Sequence, residues 1–325
     1  MIESVVTPAH RRLPTRAPYA DYLAGQSPAT LPEFSRYRPR PGHPDWQRLD
    51  AEAAELAGRL GPKLEPARRG PVEWRRRAAS YRTALASYFE NRRRAATGRQ
   101  DLLPLYFIWT TLRPCNFLCD YCDDHRGRRY PELDGHGKLD VVRWQKLLEV
   151  MRTRTPSVYF AGGEPTLRKD LPTLTRRARD LDYYPIVVNT NGSLFHRLLE
   201  KAEWSGFLAD VDVLVVSLDA LDLERLATLW RTPHPEDVLR NLLLLRRLAA
   251  RVGVKLLVNC VVQPGHVADA VEVLNFALDL GIGFTEVPKN VGPRVGAALL
   301  RRTPRSWRAC WKRSETGLPS RVRSA

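Results

Sequence analysis

Apolar and polar positions change their period near residue 105. Before it, Asp45–Leu60 and Pro71–Ala96 carry apolar residues three and four apart, which predicts two helices. The second opens with Pro71 in a first-turn position and sets Trp74, Ala78, Tyr81, Leu85, Tyr88 and Phe89 along one face. A stripe at that spacing predicts packing into a core. Residues 1–44, with RYRPRPGHP at 36–44, hold no sustained period and read as an irregular, solvated leader. From residue 105 short β-rich apolar runs alternate with helical segments. The strands are expected at Leu105–Thr110, Ser157–Ala161, Pro185–Asn189, Asp212–Ser217, Val254–Val262 and Gly283–Val287. Helices are expected at Leu139–Arg152, Leu171–Asp182, Arg197–Ser205, Pro235–Arg251 and Val267–Leu280. Six consecutive βα units predict an α/β fold, a partial (β/α)6 TIM-like barrel, preceded by a helical and irregular N-terminal extension. The expected divisions are 1–104 for the extension, 105–290 for the barrel and 291–325 for a basic tail without βα pattern. In such barrels the chemistry sits at the C-terminal ends of the strands, which tests every motif below.

The chain has 325 residues, 43% hydrophobic and 27% charged, enough apolar content for a sizeable core and against a wholly disordered chain. No apolar run approaches ~18 residues, so no membrane span is expected. The N-terminus holds no secretory h-region, which makes a cytoplasmic protein the expectation. The formal charge of +16 suggests a nucleic-acid partner, but its distribution argues otherwise. Residues 1–104 hold 19 basic against 11 acidic side chains, 301–325 hold 8 against 1, and 105–300 hold 25 against 24. The excess lies on the flanks, whereas a nucleic-acid channel carries Lys and Arg along its own walls. Nucleic acid is therefore disfavoured, although the basic arm keeps it open.

Directly after the first strand stands Cys115-Asn-Phe-Leu-Cys119-Asp-Tyr-Cys122, with Cys260 and Cys310 the remaining cysteines. Three close cysteines in a chain expected to be cytoplasmic indicate a metal rather than disulfides. Two readings stay open. Three thiolates on a 4Fe–4S cluster leave the fourth iron free for an outside molecule. A Cys3His zinc site completed by His125 would be closed and structural, a module without catalysis.

The second strand ends in Gly162-Gly163-Glu164-Pro165, where glycines allow close backbone approach and a carboxylate suits a positive amine. The third ends in Asn189-Thr190-Asn191-Gly192, the fourth in Ser217-Leu218-Asp219, and alternation puts each polar pair on one face. Competing structural readings exist for each, namely a Gly-Pro turn, an Asn-Gly turn and a capping Asp. In the fifth strand Asn259, Val261 and Gln263 share a face, and Cys260 on the other face reads as a small buried filler.

With C-x3-C-x-aromatic-C after the first barrel strand and GGEP one unit later, the chain resembles the radical S-adenosylmethionine (radical SAM) superfamily over roughly residues 105–290. The resemblance implies a 4Fe–4S cluster on Cys115, Cys119 and Cys122, with S-adenosylmethionine chelated to the open iron and reductively split to a 5′-deoxyadenosyl radical that abstracts hydrogen from a substrate. It implies Tyr121 beside the adenine, Gly162, Gly163 and Glu164 at the cofactor's ammonium, Asn189 at its carboxylate or ribose, and Ser217 and Asp219 at the ribose hydroxyls. Asn259 is a candidate for cofactor or substrate. A flavodoxin- or ferredoxin-type electron donor is implied as partner; the substrate is not. The family's peptide-modifying members often carry a cysteine-rich C-terminal extension, whereas here only Cys310 follows the barrel. The Arg- and Ser-rich 301–325, holding Trp307 and Trp311, reads as a natural C-terminal region lost or altered by truncation or a shifted frame.

Overall fold

The structure, a computed structural model, describes residues 35–122, 140–263 and 265–289. Six parallel strands, β1 (Tyr106–Thr110), β2 (Ser157–Ala161), β3 (Ile186–Thr190), β4 (Val213–Ser217), β5 (Lys255–Val262) and β6 (Gly283–Pro288), pair in chain order. The helices are α1 (Trp46–Leu60), α2 (Pro71–Ala96), α3 (Val141–Arg152), α4 (Leu171–Asp180), α5 (Phe195–Leu198), α6 (Phe207–Asp210), α7 (Leu223–Trp230), α8 (Glu236–Val252) and α9 (Val267–Asp279). This is the expected α/β fold, a partial (β/α)6 TIM-like barrel, with β1 and β6 as its edges. Alternation sorts each strand. Val158 and Phe160, Ile186 and Val188, and Leu256 and Val258 are buried in the main core, while Tyr159, Asn189, Ser217 and Asn259 are half-buried on the opposite, inner face. Register then sets Ser217, Asn259 and Thr285 side by side across β4, β5 and β6.

Helix starts follow from capping chemistry. Asp45, Asp140 and Asp222 each accept a backbone N–H three residues on, from Arg48, Arg143 and Arg225, to open α1, α3 and α7. Helix α8 is buried nearly all round because α1 covers its outer side, where Arg247 and Asp50 pair at 2.6 Å. No helix among the described residues is long and apolar enough to cross a membrane.

Three expectations fail for physical reasons. The stripe of α2 is not core. Trp74 is 73% exposed, Tyr81 58%, Leu85 56%, Tyr88 48% and Phe89 62%, while Glu73, Arg76, Ser80 and Ser87 face the barrel. The surface under the helix is polar: Asp212 and the carbonyls of Pro156, Tyr183 and Tyr184 stand at or just before strand starts and need donors. Arg76 bonds Asp212 and the Tyr183 carbonyl, and Ser80 Oγ lies 2.7 Å from both the Pro156 and Tyr184 oxygens. Leaving such groups unpaired costs about 1–3 kcal/mol each, so the polar side turns inward.

The segment Arg197–Ser205 is not one helix. Leu198, Leu199 and Ala202 keep helical spacing, but the backbone turns extended at Lys201 (ψ 134°), and the chain breaks into α5, a 3-10 turn at Ala202–Trp204, and α6. A short helix between β4 and β5, α7, went unexpected. Finally, the end of the leader is not a free arm. Asp279 accepts from Ser35 Oγ and from the backbone N–H of Arg36 and Tyr37, each at 2.8 Å, and buried Tyr37 packs on Trp46 and Phe276. The rest of the leader and 290–325 lie outside the described residues.

Candidate active site

The cysteine loop leaves β1 and crosses the C-terminal mouth of the barrel. Cys115, Cys119 and Cys122 are half-buried and free of disulfides. Burial pushes the Cys119 thiol up to about 12 and raises Cys115 as well, and the three sulfurs sense one another electrostatically. Buried thiols of this kind become thiolates when a metal replaces their protons. The described residues hold no set of three ligands drawn tightly enough for one ion. A single zinc at ~2.3 Å from each sulfur needs them about 4 Å apart. A cluster with one iron per thiolate spaces them wider, and three thiols on one short loop are a donor set that such a cluster takes. His125, the fourth ligand of the zinc reading, lies outside the described residues, as do Asp123, Asp124 and Arg126.

Several anchors fix the loop. The Leu118 and Asp120 N–H groups donate to the Trp230 and Leu229 carbonyls at the end of α7, each at 3.0 Å, and Arg231 pairs with Asp120. Phe117 stacks on Trp230 with ring centroids 5.5 Å apart. On the other side Asn116 bonds Ser193 and Asn191 beyond β3, at 2.9 and 2.8 Å.

The two glycines after β2 meet this loop. A Cβ on Gly163 would lie 2.1 Å from the Arg113 oxygen and 2.2 Å from that of Pro114, and one on Gly162, where φ is +140°, would lie 2.4 Å from the Leu112 oxygen. Gly163 and Glu164 donate backbone N–H groups to the Leu112 and Pro114 carbonyls at 2.8 and 2.9 Å. Glycine is therefore required here for β2 to approach the cysteine loop itself.

Glu164 is fully buried, and burial raises its carboxyl above the usual range in spite of four donors. One oxygen accepts from Thr166 N, Thr166 Oγ1 and Thr190 Oγ1 at 2.9, 2.6 and 2.7 Å, the other from Asn191 N at 2.6 Å. Its side chain ties the ends of β2 and β3 together. Asp219 is engaged likewise. Burial raises its carboxyl, which accepts from Tyr121 Oη at 2.5 Å, Trp230 Nε1 at 2.7 Å and Val261 N at 2.8 Å. One carboxylate thus clamps the cysteine loop, the end of α7 and β5. The same Tyr121 hydroxyl reaches Cys119.

The remaining polar residues line the inner face. Asn189 Oδ1 is buried with no partner, the kind of acceptor that a bound hydroxyl or amine satisfies. Half-buried Ser217 stands beside Asn259, whose Oδ1 accepts from Thr285 Oγ1 at 3.0 Å. Cys260 is buried on the outer face, as expected.

The model of the radical SAM superfamily matches residues 109–277. The chain belongs to that superfamily. Radical SAM proteins use a 4Fe–4S cluster and S-adenosylmethionine, and the radical SAM match spans all of the cysteine loop and GGEP motif. The chain is 36% identical over 173 residues to a GTP 3′,8-cyclase of Mycobacterium marinum, covering 51% of this chain and 45% of that protein. It is 29% identical over 127 residues to an S-adenosylmethionine-dependent nucleotide dehydratase of Selenomonas ruminantium, with 38% and 43% covered. It is 27% identical over 187 residues to a PqqA peptide cyclase of Bradyrhizobium diazoefficiens, with 57% and 46% covered. The chain thus spans less than half the length of these relatives. The crystal structure of Streptococcus suis SuiB aligns with a TM-score of 0.46 at 22% identity, over 59% of this chain and 41% of that one.

Trp230, Phe117, Thr190 and Asn116 were not among the residues expected at the site. Trp230 ends a helix that the sequence pattern did not reveal, and its bond to Asp219 crosses eleven residues without any periodic signal. The Asx and hydroxyl chemistry of Thr190 and Asn116 was visible in the sequence, but nothing there joined it to Glu164 or Asn191.

Proposed function

We propose that this chain is a radical SAM enzyme whose Cys115, Cys119 and Cys122 hold three irons of a 4Fe–4S cluster and whose barrel mouth binds S-adenosylmethionine at the fourth. When bound, the pair supplies one-electron reduction of the sulfonium, giving methionine and a 5′-deoxyadenosyl radical that takes a hydrogen atom from substrate. The observation that carries the proposal is three half-buried thiols at a barrel mouth, on a loop anchored from both sides, above an inner face bearing an unpartnered acceptor. Asn189 accepts from the cofactor's amine or hydroxyl groups, and Ser217 and Asn259 offer hydroxyl and amide groups one strand apart. Gly162, Gly163 and Glu164 hold the loop against β2 and leave backbone carbonyls for the ammonium. Tyr121, held by Asp219, presents an aromatic wall beside the sulfurs. Asp219 is assigned to that clamp in place of the ribose contact, because a ribose hydroxyl would have to displace one of three protein donors. A flavodoxin- or ferredoxin-type protein is proposed as the electron donor.

Metal content of protein reconstituted anaerobically with iron and sulfide tests the donor set. About four irons and about four sulfides per chain are expected, with absorption near 400 nm bleached by dithionite. One tightly held zinc per chain and no iron uptake would overturn the proposal.

A further inference from the structure

Helix α2 displays its apolar stripe to solvent and cannot roll it inward. The opposite side is pinned by the ion cluster of Glu73, Arg76, Arg179 and Asp212, by Ser80 on the Pro156 carbonyl, and by Asn91, which donates to Leu103 O at 2.9 Å and accepts from Leu103 N at 2.7 Å. The exposed rings of Trp74, Tyr81, Tyr88 and Phe89, at ~150–250 Å² each, offer on the order of 500 Å² even before Leu85 is added. Patches beyond a few hundred Å² ordinarily mark a covered surface.

Charge says what covers it. At 100° per residue Arg75, Arg82 and Arg93 fall along one border of the stripe and Arg92 falls within it, in line with Trp74, while Arg77 on the other border is paired with Glu73. Arg75 and Arg82 have no ion pair among the described residues, whereas Arg93, 65% exposed, is paired with Glu90 at 2.8 Å. We propose that this face of α2 docks a partner protein presenting an apolar ridge bordered on one side by carboxylates, as an acidic amphipathic helix does. The site lies at the starting ends of the strands, remote from the cysteine loop, and is independent of the barrel's chemistry.

Other occupants fit worse. An antiparallel two-fold pairing of α2 with a second copy brings both arginine borders to one side, in a chain whose formal charge is already +16. A membrane-surface helix carries its charges opposite the apolar face, and here that side is buried on the barrel. Nucleic acid needs a longer row of cations and gains nothing from Leu85.

The test uses the full chain and two labelled synthetic helical peptides with the same Leu/Phe face, one bordered by Glu and one by Lys, followed by fluorescence anisotropy. The Glu-bordered peptide is expected to bind at least tenfold more tightly. Arg75→Glu with Arg82→Glu, and separately Trp74→Ala, are expected to weaken it tenfold or more with little change in melting temperature, because these side chains are exposed. Equal affinity for the two peptides, or affinity untouched by these variants, overturns the proposal. So do a dimer in sedimentation that Tyr81→Glu disperses, tighter binding to phosphatidylserine vesicles or single-stranded DNA than to the Glu peptide, or protection of Trp74 and Phe89 from hydroxyl-radical labelling in the isolated chain.

Discussion

Gly163→Ala is expected to remove iron binding almost completely and to destabilise the fold by about 3 kcal/mol. The added methyl would stand 2.1 and 2.2 Å from two backbone oxygens, those of Arg113 and Pro114, and backbone cannot swing aside as the tip of a long side chain can. Either β2 or the segment entering the cysteine loop must shift by about 1 Å, since real Cβ contacts stay beyond about 3 Å. That shift breaks the N–H bonds from Gly163 and Glu164 to the Leu112 and Pro114 carbonyls and carries Cys115 with it. Urea midpoints at constant slope report the stability loss, and iron per chain after reconstitution reports the site. Gly265→Ala serves as the control: Gly265 is a positive-φ glycine with open space around it, so its cost is confined to backbone strain and iron binding is retained. A Gly163→Ala protein with wild-type stability and iron content would show that the loop does not sit against β2 as described.

The second large effect is expected at Asp219. Alanine there strands three buried donors, Tyr121 Oη, Trp230 Nε1 and Val261 N, at ~1–3 kcal/mol for each, or about 4 kcal/mol together because the sites are coupled. Asparagine keeps the shape and one acceptor oxygen, so Asp219→Asn is expected to recover about half of that loss. Stability alone does not separate a clamp on the cysteine loop from ordinary packing. The discriminating readout is the electron paramagnetic resonance signal of the reduced cluster, compared with Leu242→Ala, a core truncation of similar cost (~2–5 kcal/mol) on α8. Asp219→Asn is expected to change the signal because Tyr121, which touches both Asp219 and Cys119, is released, while Leu242→Ala leaves it unchanged. An unchanged signal in Asp219→Asn would reduce the residue to a structural role.

All six strands were legible to within one residue at every end, because strands buried on one face by helices and lined on the other by a site carry a strong alternation. That alternation also placed the cysteines, GGEP and the two polar strand ends at the same mouth. Long-range polar bonding was not legible. Glu164 and Asp219 read as ligand contacts because a carboxylate at a strand end has no visible partner in one dimension; Thr190, Asn191, Tyr121 and Val261 come from other βα units, and Trp230 from a short helix of Asp219's own unit that the pattern did not reveal. The α2 stripe misled for the opposite reason. Its periodicity was real, but which side faces inward was decided by carbonyls and a carboxylate at the barrel's lower end, whose demand for donors outweighs the burial of aromatic rings.

Reductive cleavage of S-adenosylmethionine is the chemistry proposed for this barrel mouth. Its most direct test is chromatographic assay of 5′-deoxyadenosine after anaerobic incubation of reconstituted protein with S-adenosylmethionine and dithionite, with Cys119→Ala alongside. Formation of 5′-deoxyadenosine by the wild type and only background with Cys119→Ala is the predicted result. No product from an iron-loaded wild type, or equal product from both proteins, would contradict it.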